Sequence, residues 1–424
     1  MEKIILAGIL YEESSLPQDP NLKELEDLVI SAGGNVITKM VQKRDKADPA
    51  YLIGKGKTEE LAQLVWQQGA QCVIFDDELT PTQQRNLEEI LAVKVIDRTR
   101  LILDLFAQRA RTKEGMLQVE LAQHMYMLPR LGDKGVTFSQ QTGGIGTRGP
   151  GERQLEYDRR RVRSRIQHLK KELEAVRQER QTQRSKRLEE GIPQVAIVGY
   201  TNVGKSSLLN CLAAPTNGKA PIYADNRLFA TLDPTTRRVH LPSGLNALFT
   251  DTVGFISKLP TMLIASFRAT LEEIKWADIL LEVSDPTLTE EVRSAQKEAV
   301  EATLKELGAH EYLRLGVFSK ADLLEDHHKI LLNKKHPQHV LISSQTGEGI
   351  VNLLQKIEET IMSQWPRQEI TLNISDGHLL RYIYSVGKVL KFKEDDKGKY
   401  KLTVQAPKAQ LAKIKGAIKK SIQK

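Results

Sequence analysis

Cysteine is almost missing from this chain of 424 residues: only Cys72 and Cys211 occur, each inside an apolar stretch. Two such residues make neither a disulfide framework nor a metal-ligand cluster, so a reducing cytoplasm is the expected compartment. Long apolar runs are missing too. None reaches about 18 residues, so no membrane-spanning helix is expected. The opening MEKIILAGILYEESS is acidic on both sides of its short apolar run, unlike a signal peptide. Proline, glycine and serine are not enriched enough for disorder, and no internal repeat or low-complexity tract stands out. What is present is an ordinary globular mixture, 40% hydrophobic and 27% charged, with a formal net charge of +8. The length suggests roughly two to four domains, and the charge points mildly towards a polyanionic partner.

Residues 1–108 alternate strand-like runs (KIILAGIL, QCVIFDD, VKVIDR) with helix-like ones (LKELEDLVISAG, KTEELAQLVWQQGA) that end at glycine. That alternation predicts an N-terminal α/β domain. Over 109–190 the pattern changes. Leu117, Leu121, Met125 and Leu128 define one helix; Leu155, Val162, Ile166, Leu169, Leu173 and Val176 define a second, beyond a glycine-rich gap. These spacings predict an antiparallel helical hairpin, whose second arm reaches roughly 50 Å. EEGIPQ is a linker. A second α/β domain is expected over 193–362. SQWPRQ closes it, and 367–424 reads as a small α+β domain: strand, helix, two strands around EDDKGK, then a lysine-rich helix.

The strongest signal is QVAIVGYTNVGKSS. Gly199, Gly204, Lys205 and Ser206 satisfy G-x-x-x-x-G-K-[ST] between a strand-like run and a helix-like one. The turn from Gly199 through Tyr200, Thr201, Asn202 and Val203, with Ser207 just inside the helix, supplies backbone N–H groups to α- and β-phosphates. Lys205 is expected to reach the β/γ oxygens, and Ser206 to bind Mg²⁺. LNALFTDTVGF ends in Asp251, Thr252, Val253 and Gly254. There the Asp holds Mg²⁺ through water and the Gly254 amide meets the γ-phosphate. Two more apolar runs end in Ser319, Lys320, Ala321 and Asp322, and in Ser343, Ser344 and Gln345. Ligands bind at the carboxyl ends of parallel strands, so these motifs converge on one edge. A carboxylate there accepts both N1–H and N2–H₂ of guanine and finds no such pair on adenine, which makes Asp322 the expected guanine selector. Between them, LFATLDPTTRR contributes Phe229, Ala230, Thr231, Leu232 and Asp233. Thr231 is the expected switch threonine that closes on Mg²⁺, with Thr235 and Thr236 as rivals.

Two departures stand out. The guanine motif usually opens with Asn, and Ser319 has less reach for the base and for a tether to the phosphate loop. Less exclusive guanine binding, with some ATP use, therefore stays open. Phe255 follows Gly254 and cannot orient the attacking water, so slow intrinsic hydrolysis is expected. Asn202 matches an asparagine used by GTPases that take a monovalent cation, which makes K⁺ stimulation an expectation to test.

The chain resembles the HflX family of ribosome-associated GTPases in RTRLILDLFAQRARTKEGMLQVELAQ, GGIGTRGPGERQLEYDRR, VGYTNVGKSSLLN and LFATLDPTTRR. The resemblance implies that the chain binds the large ribosomal subunit and splits or rescues ribosomes; a Mg²⁺-dependent, GTP-hydrolysing protein, acting as a monomer, is the expectation. It also places the loop from Gly143 to Gly151 towards the peptidyl-transferase rRNA. Glycine admits close backbone approach, and Arg148 can stack on a base or bridge phosphates. Gly143, Gly144, Gly146, Arg148, Gly149, Arg153, Arg159 and Arg160 are thus the expected RNA contacts. Two rivals remain: a ribosome-assembly or RNA-modification GTPase, and a nucleotide-switched protein adaptor with no RNA role.

Overall fold

The computed structural model describes residues 1–11, 19, 21–132, 150–213, 228–229, 232–258, 260, 263, 273–309, 311–373, 377–395 and 399–422. Strands β1 (Lys3–Tyr11), β2 (Asn35–Arg44), β3 (Cys72–Phe75) and β4 (Lys94–Asp97) form a parallel sheet in the order β2-β1-β3-β4. CVIF in β3 is buried at every position, as a parallel strand covered on both faces requires. β2 was not among the expected strands. It lies at the sheet edge and is mostly half-exposed, so Thr38, Lys39, Gln42 and Lys43 blunt its apolar signal.

One face of this sheet packs Ile5, Ala7, Val73, Phe75 and Val95 against α2 (Lys55–Gln68) and α3 (Pro81–Leu91). α3 starts with a capping box, Thr80 with Gln83, and Pro81 at its first position. The other face, with Leu6 and Ile74, packs on Leu25 and Leu28 of α1 (Lys23–Ser31) and on Leu101, Leu105 and Phe106 of α4 (Arg98–Arg109). That second core does not stop there. It runs without a break into the next sheet.

The expected hairpin is present. α5 (Lys113–Met127) lies along α6 (Pro150–Glu190). Leu117, Leu121, Ile166 and Leu169 form the buried seam, flanked by Met125, Leu128, Val162 and Leu173. Arg165 grips Glu120 with two nitrogens at 2.7 and 2.9 Å. At 1.5 Å per residue α6 is roughly 60 Å long. Of the expected glycine-rich loop from Gly143 to Gly151, residues 143–149 lie outside the described residues, and Pro150 and Gly151 already belong to α6.

The second sheet has the order β10-β9-β8-β5-β7-β6: β5 (Gln194–Gly199), β6 (Thr235–His240), β7 (Asn246–Asp251), β8 (Ile279–Ser284), β9 (Arg314–Phe318) and β10 (Val340–Leu341). All neighbours are parallel except β6 with β7. Helices α7 (Lys205–Ala213), α8 (Glu290–Glu306), α9 (Asp326–Lys335) and α10 (Ile350–Ser363) accompany it. A third sheet, β11 (Arg367–Asn373), β13 (Lys399–Gln405) and β12 (Lys388–Asp395), is antiparallel. It shares its own core with α11 (Gly377–Val386) and α12 (Lys408–Ile422). Gln405 Nε2 joins this unit to the end of α10, donating to the Met362 and Trp365 carbonyls at 2.6 and 3.2 Å. No helix among the described residues is long and apolar enough to cross a membrane.

Candidate nucleotide site

The turn between β5 and α7 carries the phosphate-loop residues. Asn202 (φ 61°) and Gly204 (φ 91°) take left-handed backbone there. α7 starts at Lys205, so its first-turn N–H groups face the loop. The Lys205 ammonium is buried and donates to the Tyr200 carbonyl at 2.6 Å. Burial pushes its pKa down to about 8, and the charge of Asp251 opposes that only in part. Ser206 Oγ donates to Asp251 Oδ2 at 2.6 Å. A hydroxyl and a carboxylate brought together at the carboxyl end of β7 are hard oxygen donors, and this set fits Mg²⁺.

Beyond Asp251, Thr252 Oγ1 donates to the Ile197 carbonyl at 2.7 Å. Gly254 then runs hard against the loop. A Cβ there would stand 2.7 Å from Thr201 Cγ2 and 2.9 Å from Lys205 Nζ, so only glycine fits. Phe255 zips onto the same turn, its amide donating to Gly199 O at 3.1 Å and its carbonyl accepting from Thr201 N at 2.8 Å. Its ring is fully buried and offers nothing to an attacking water.

At the carboxyl ends of β9 and β10, Ser319 corrects an expectation. The shorter side chain keeps its tether, since its hydroxyl donates to the Val203 carbonyl at 2.7 Å and reaches Ser284 O at 3.2 Å. Lys320 is pinned by Asp285 at 2.6 Å. Asp322 accepts from Ser343 Oγ at 2.5 Å, and that hydroxyl oxygen in turn accepts from the amides of Gln345 and Thr346. Ser343 therefore aims Asp322. Of the residues expected here, Gly199 to Ser207, Asp251 to Gly254, Ser319 to Asp322 and Ser343 to Gln345 share one sheet edge.

The switch region divides. Ala230 and Thr231 lie outside the described residues. The rival Thr236 bonds Thr250 across the β6–β7 ladder at 3.0 Å, and Thr235 is paired opposite Asp251 in that ladder. Phe229 and Leu232 are buried in the core shared with the first sheet. Asp233 was expected at the nucleotide. Its carboxylate instead accepts from the amides of Arg111 and Thr112, both at 2.9 Å, and from Thr112 Oγ1 at 2.5 Å. A carboxylate beside a helix start finds unpaired N–H groups there, and this is the start of α5. The Gly143, Gly144, Gly146, Arg148 and Gly149 contacts lie outside the described residues, and of Arg153 only the helical backbone is described. Arg160 is exposed and pairs with Glu156 at 2.6 Å; Arg159 is half-buried.

Motif reading missed a polar cluster at the carboxyl edge of the first sheet: Glu24, Asp76, Asp77 and Arg98, joined to Tyr200, Ser257 and Lys258. A signal was available, because DDELT and DRTR directly follow strand-like runs, and polar side chains gather at such ends.

A phosphate loop opening α7, an Asp-x-x-Gly turn against it and a guanine-type edge on a mostly parallel sheet define a P-loop GTPase. Family descriptions match along the chain: GTP-binding GTPase N-terminal at residues 19–107, GTP-binding GTPase Middle Region at 109–187 and 50S ribosome-binding GTPase at 194–318. The GTPase HflX of Caldanaerobacter subterraneus subsp. tengcongensis is 45% identical over 94% of this chain and 89% of that protein. That of Escherichia coli K12 is 41% identical over 96% and 94%. The chain belongs to the HflX GTPase family. A GTP-binding protein of Sulfolobus solfataricus in complex with GDP is similar in structure, with a TM-score of 0.42 at 23% identity, covering 86% of this chain and 99% of that one.

Proposed function

We propose that this GTPase binds the large ribosomal subunit in its GTP state and lets go after hydrolysis, splitting or rescuing ribosomes. The supporting observation is architectural. One α/β body carries the nucleotide edge, and a helical arm roughly 60 Å long is studded with Arg159, Arg160, Arg161 and Arg163, directly after a glycine-rich stretch of sequence. In this reading residues 1–108 and 109–190 engage the ribosome, 193–362 times the engagement, and 367–424 forms a separate small unit. The tip from Gly143 to Gly151 approaches peptidyl-transferase rRNA, and the basic helix tracks phosphates.

Phosphoryl transfer to water needs positioning and charge neutralisation rather than covalent catalysis. Lys205 meets the β/γ oxygens, the Gly254 amide reads the γ-phosphate, and Asp322, aimed by Ser343, selects guanine. Ser206, Asp251 and Thr231 would hold Mg²⁺, which neutralises phosphate charge when bound. Asn202 would hold K⁺. Equal turnover in K⁺ and Na⁺ buffers would remove that cation from the account.

Salt-dependent co-sedimentation tests the partner. A phosphate-tracking arm predicts pelleting with mature large subunits that weakens steeply with salt. Preference for precursor particles would indicate an assembly factor instead, and failure to pellet would indicate a protein adaptor.

A further inference from the structure

The carboxyl edge of a parallel sheet is where α/β folds hold their ligands. In the first sheet that edge is occupied by the segment of the GTPase sheet just beyond Gly254. Arg98, 3% exposed, donates to Asp76 at 2.8 Å, to Glu24, and to the Ser257 carbonyl at 2.9 Å. Glu24 also accepts from the Tyr200 hydroxyl of the phosphate loop and from Ser257 Oγ at 2.9–3.0 Å. The Ser257 amide donates to that same Tyr200 oxygen at 2.7 Å. Lys258, held at φ 49°, reaches Asp76 and Asp77 at 2.6 and 2.9 Å.

We propose that Glu24 is a positioning residue that latches the phosphate loop to the Gly254 turn and thereby sets the balance between GTP and GDP. It rests on the GTPase reading and not on the ribosomal one. In the latched arrangement Gly254 presses on Thr201 and Lys205, Lys205 Nζ bonds the Tyr200 carbonyl, and the Thr201 amide bonds Phe255 O. A terminal phosphate sits between such a lysine and such a glycine amide, so it must push Gly254 away. Ser257, three residues on, is the residue that Glu24 and Tyr200 hold. A diphosphate leaves this turn where it is. The latch therefore opposes the triphosphate selectively.

A second arm follows the same logic at the other switch. Asp233, two residues past Thr231, is held at the start of α5, where a Cβ on Gly115 would come within 2.3 Å of its Oδ1. Nearby, the Leu228 amide donates to Ser31 Oγ at 3.0 Å and Phe229 packs edge-on against Phe106 at 4.7 Å. Both segments that move with the γ-phosphate are thus tied to α1, α4 and α5, and α5 is an arm of the hairpin. Opening the latch hands the nucleotide state to the hairpin by direct contact.

The test uses the full chain without ribosomes. Equilibrium affinities for GDP and for a non-hydrolysable GTP analogue are measured by fluorescence for the natural chain, Glu24→Gln and Thr112→Val. Losing one charge-assisted hydrogen bond corresponds to about tenfold. Glu24→Gln is therefore expected to raise the analogue-to-GDP affinity ratio about tenfold while GDP affinity stays within about twofold. Thr112→Val shifts the ratio the same way. In the natural chain, amides of residues 24–31 and 98–109 exchange faster with the analogue bound than with GDP. An unchanged ratio in both variants, equal changes for both nucleotides, or exchange indifferent to the nucleotide would overturn the latch. Shifted ratios in a chain that never pellets with subunits would uphold the latch and sink the ribosomal reading instead.

Discussion

At the scale of single residues, Lys205 carries the sharpest consequence. Burial holds its folded pKa near 8, below the free value of 10.5. Phosphate oxygens favour the charged form, so binding raises that pKa and draws a proton from solvent when it occurs near pH 8. Calorimetry in buffers of different ionisation enthalpy should therefore show proton uptake at pH 8 that vanishes in Lys205→Met, with affinity falling as pH rises through about 8. Ser319→Ala removes the tether to Val203 and should weaken GDP and GTP alike by about 1 kcal/mol. Asp322→Asn should lose the preference for GTP over ATP in competition binding, by about 3 kcal/mol or more. Phosphate-loop and guanine-edge residues were legible because each motif is contiguous and follows a strand-like run, even though Ser206 and Ser319 find their side-chain partners 45 and 116 positions away. The destinations of Tyr200 and Asp233 were not, since they pair with Glu24 and Thr112, 176 and 121 positions away. A one-dimensional motif carries no register for such contacts.

Elements were legible where periodicity was strong. The four-and-three spacing of Leu117, Leu121, Ile166 and Leu169 became the hairpin seam, and all four are nearly inaccessible. Leu169, at 0% exposure, has the least room to relax. Leu169→Ala should therefore destabilise the hairpin by about 2–5 kcal/mol, seen as faster amide exchange along α6 with the GTPase sheet unchanged. β2 was illegible for the converse reason. An edge strand needs only one buried flank, and its lysines and glutamines dilute the pattern that a central strand such as β3 displays. The glycine-rich tip remains an expectation read from sequence.

At the scale of the molecule, one apolar core joins the first sheet to the GTPase sheet, from Leu6 and Phe106 through Phe229 to Val195 and Leu281. The C-terminal sheet keeps a separate core. Calorimetry should accordingly resolve a nucleotide-sensitive transition shared by the first two sheets and a second, nucleotide-insensitive one for the C-terminal unit. The continuous core also explains how a small displacement at Gly254 is felt by the arm, because packed interfaces have discrete arrangements and do not deform freely. The most direct measurement is co-sedimentation with purified large ribosomal subunits under GTP, GDP and a non-hydrolysable analogue, comparing the intact chain with one lacking residues 143–151. The account predicts tight pelleting only with GTP or the analogue, and much weaker pelleting without the tip. Equal pelleting with GDP, or pelleting unaffected by the deletion, would contradict it.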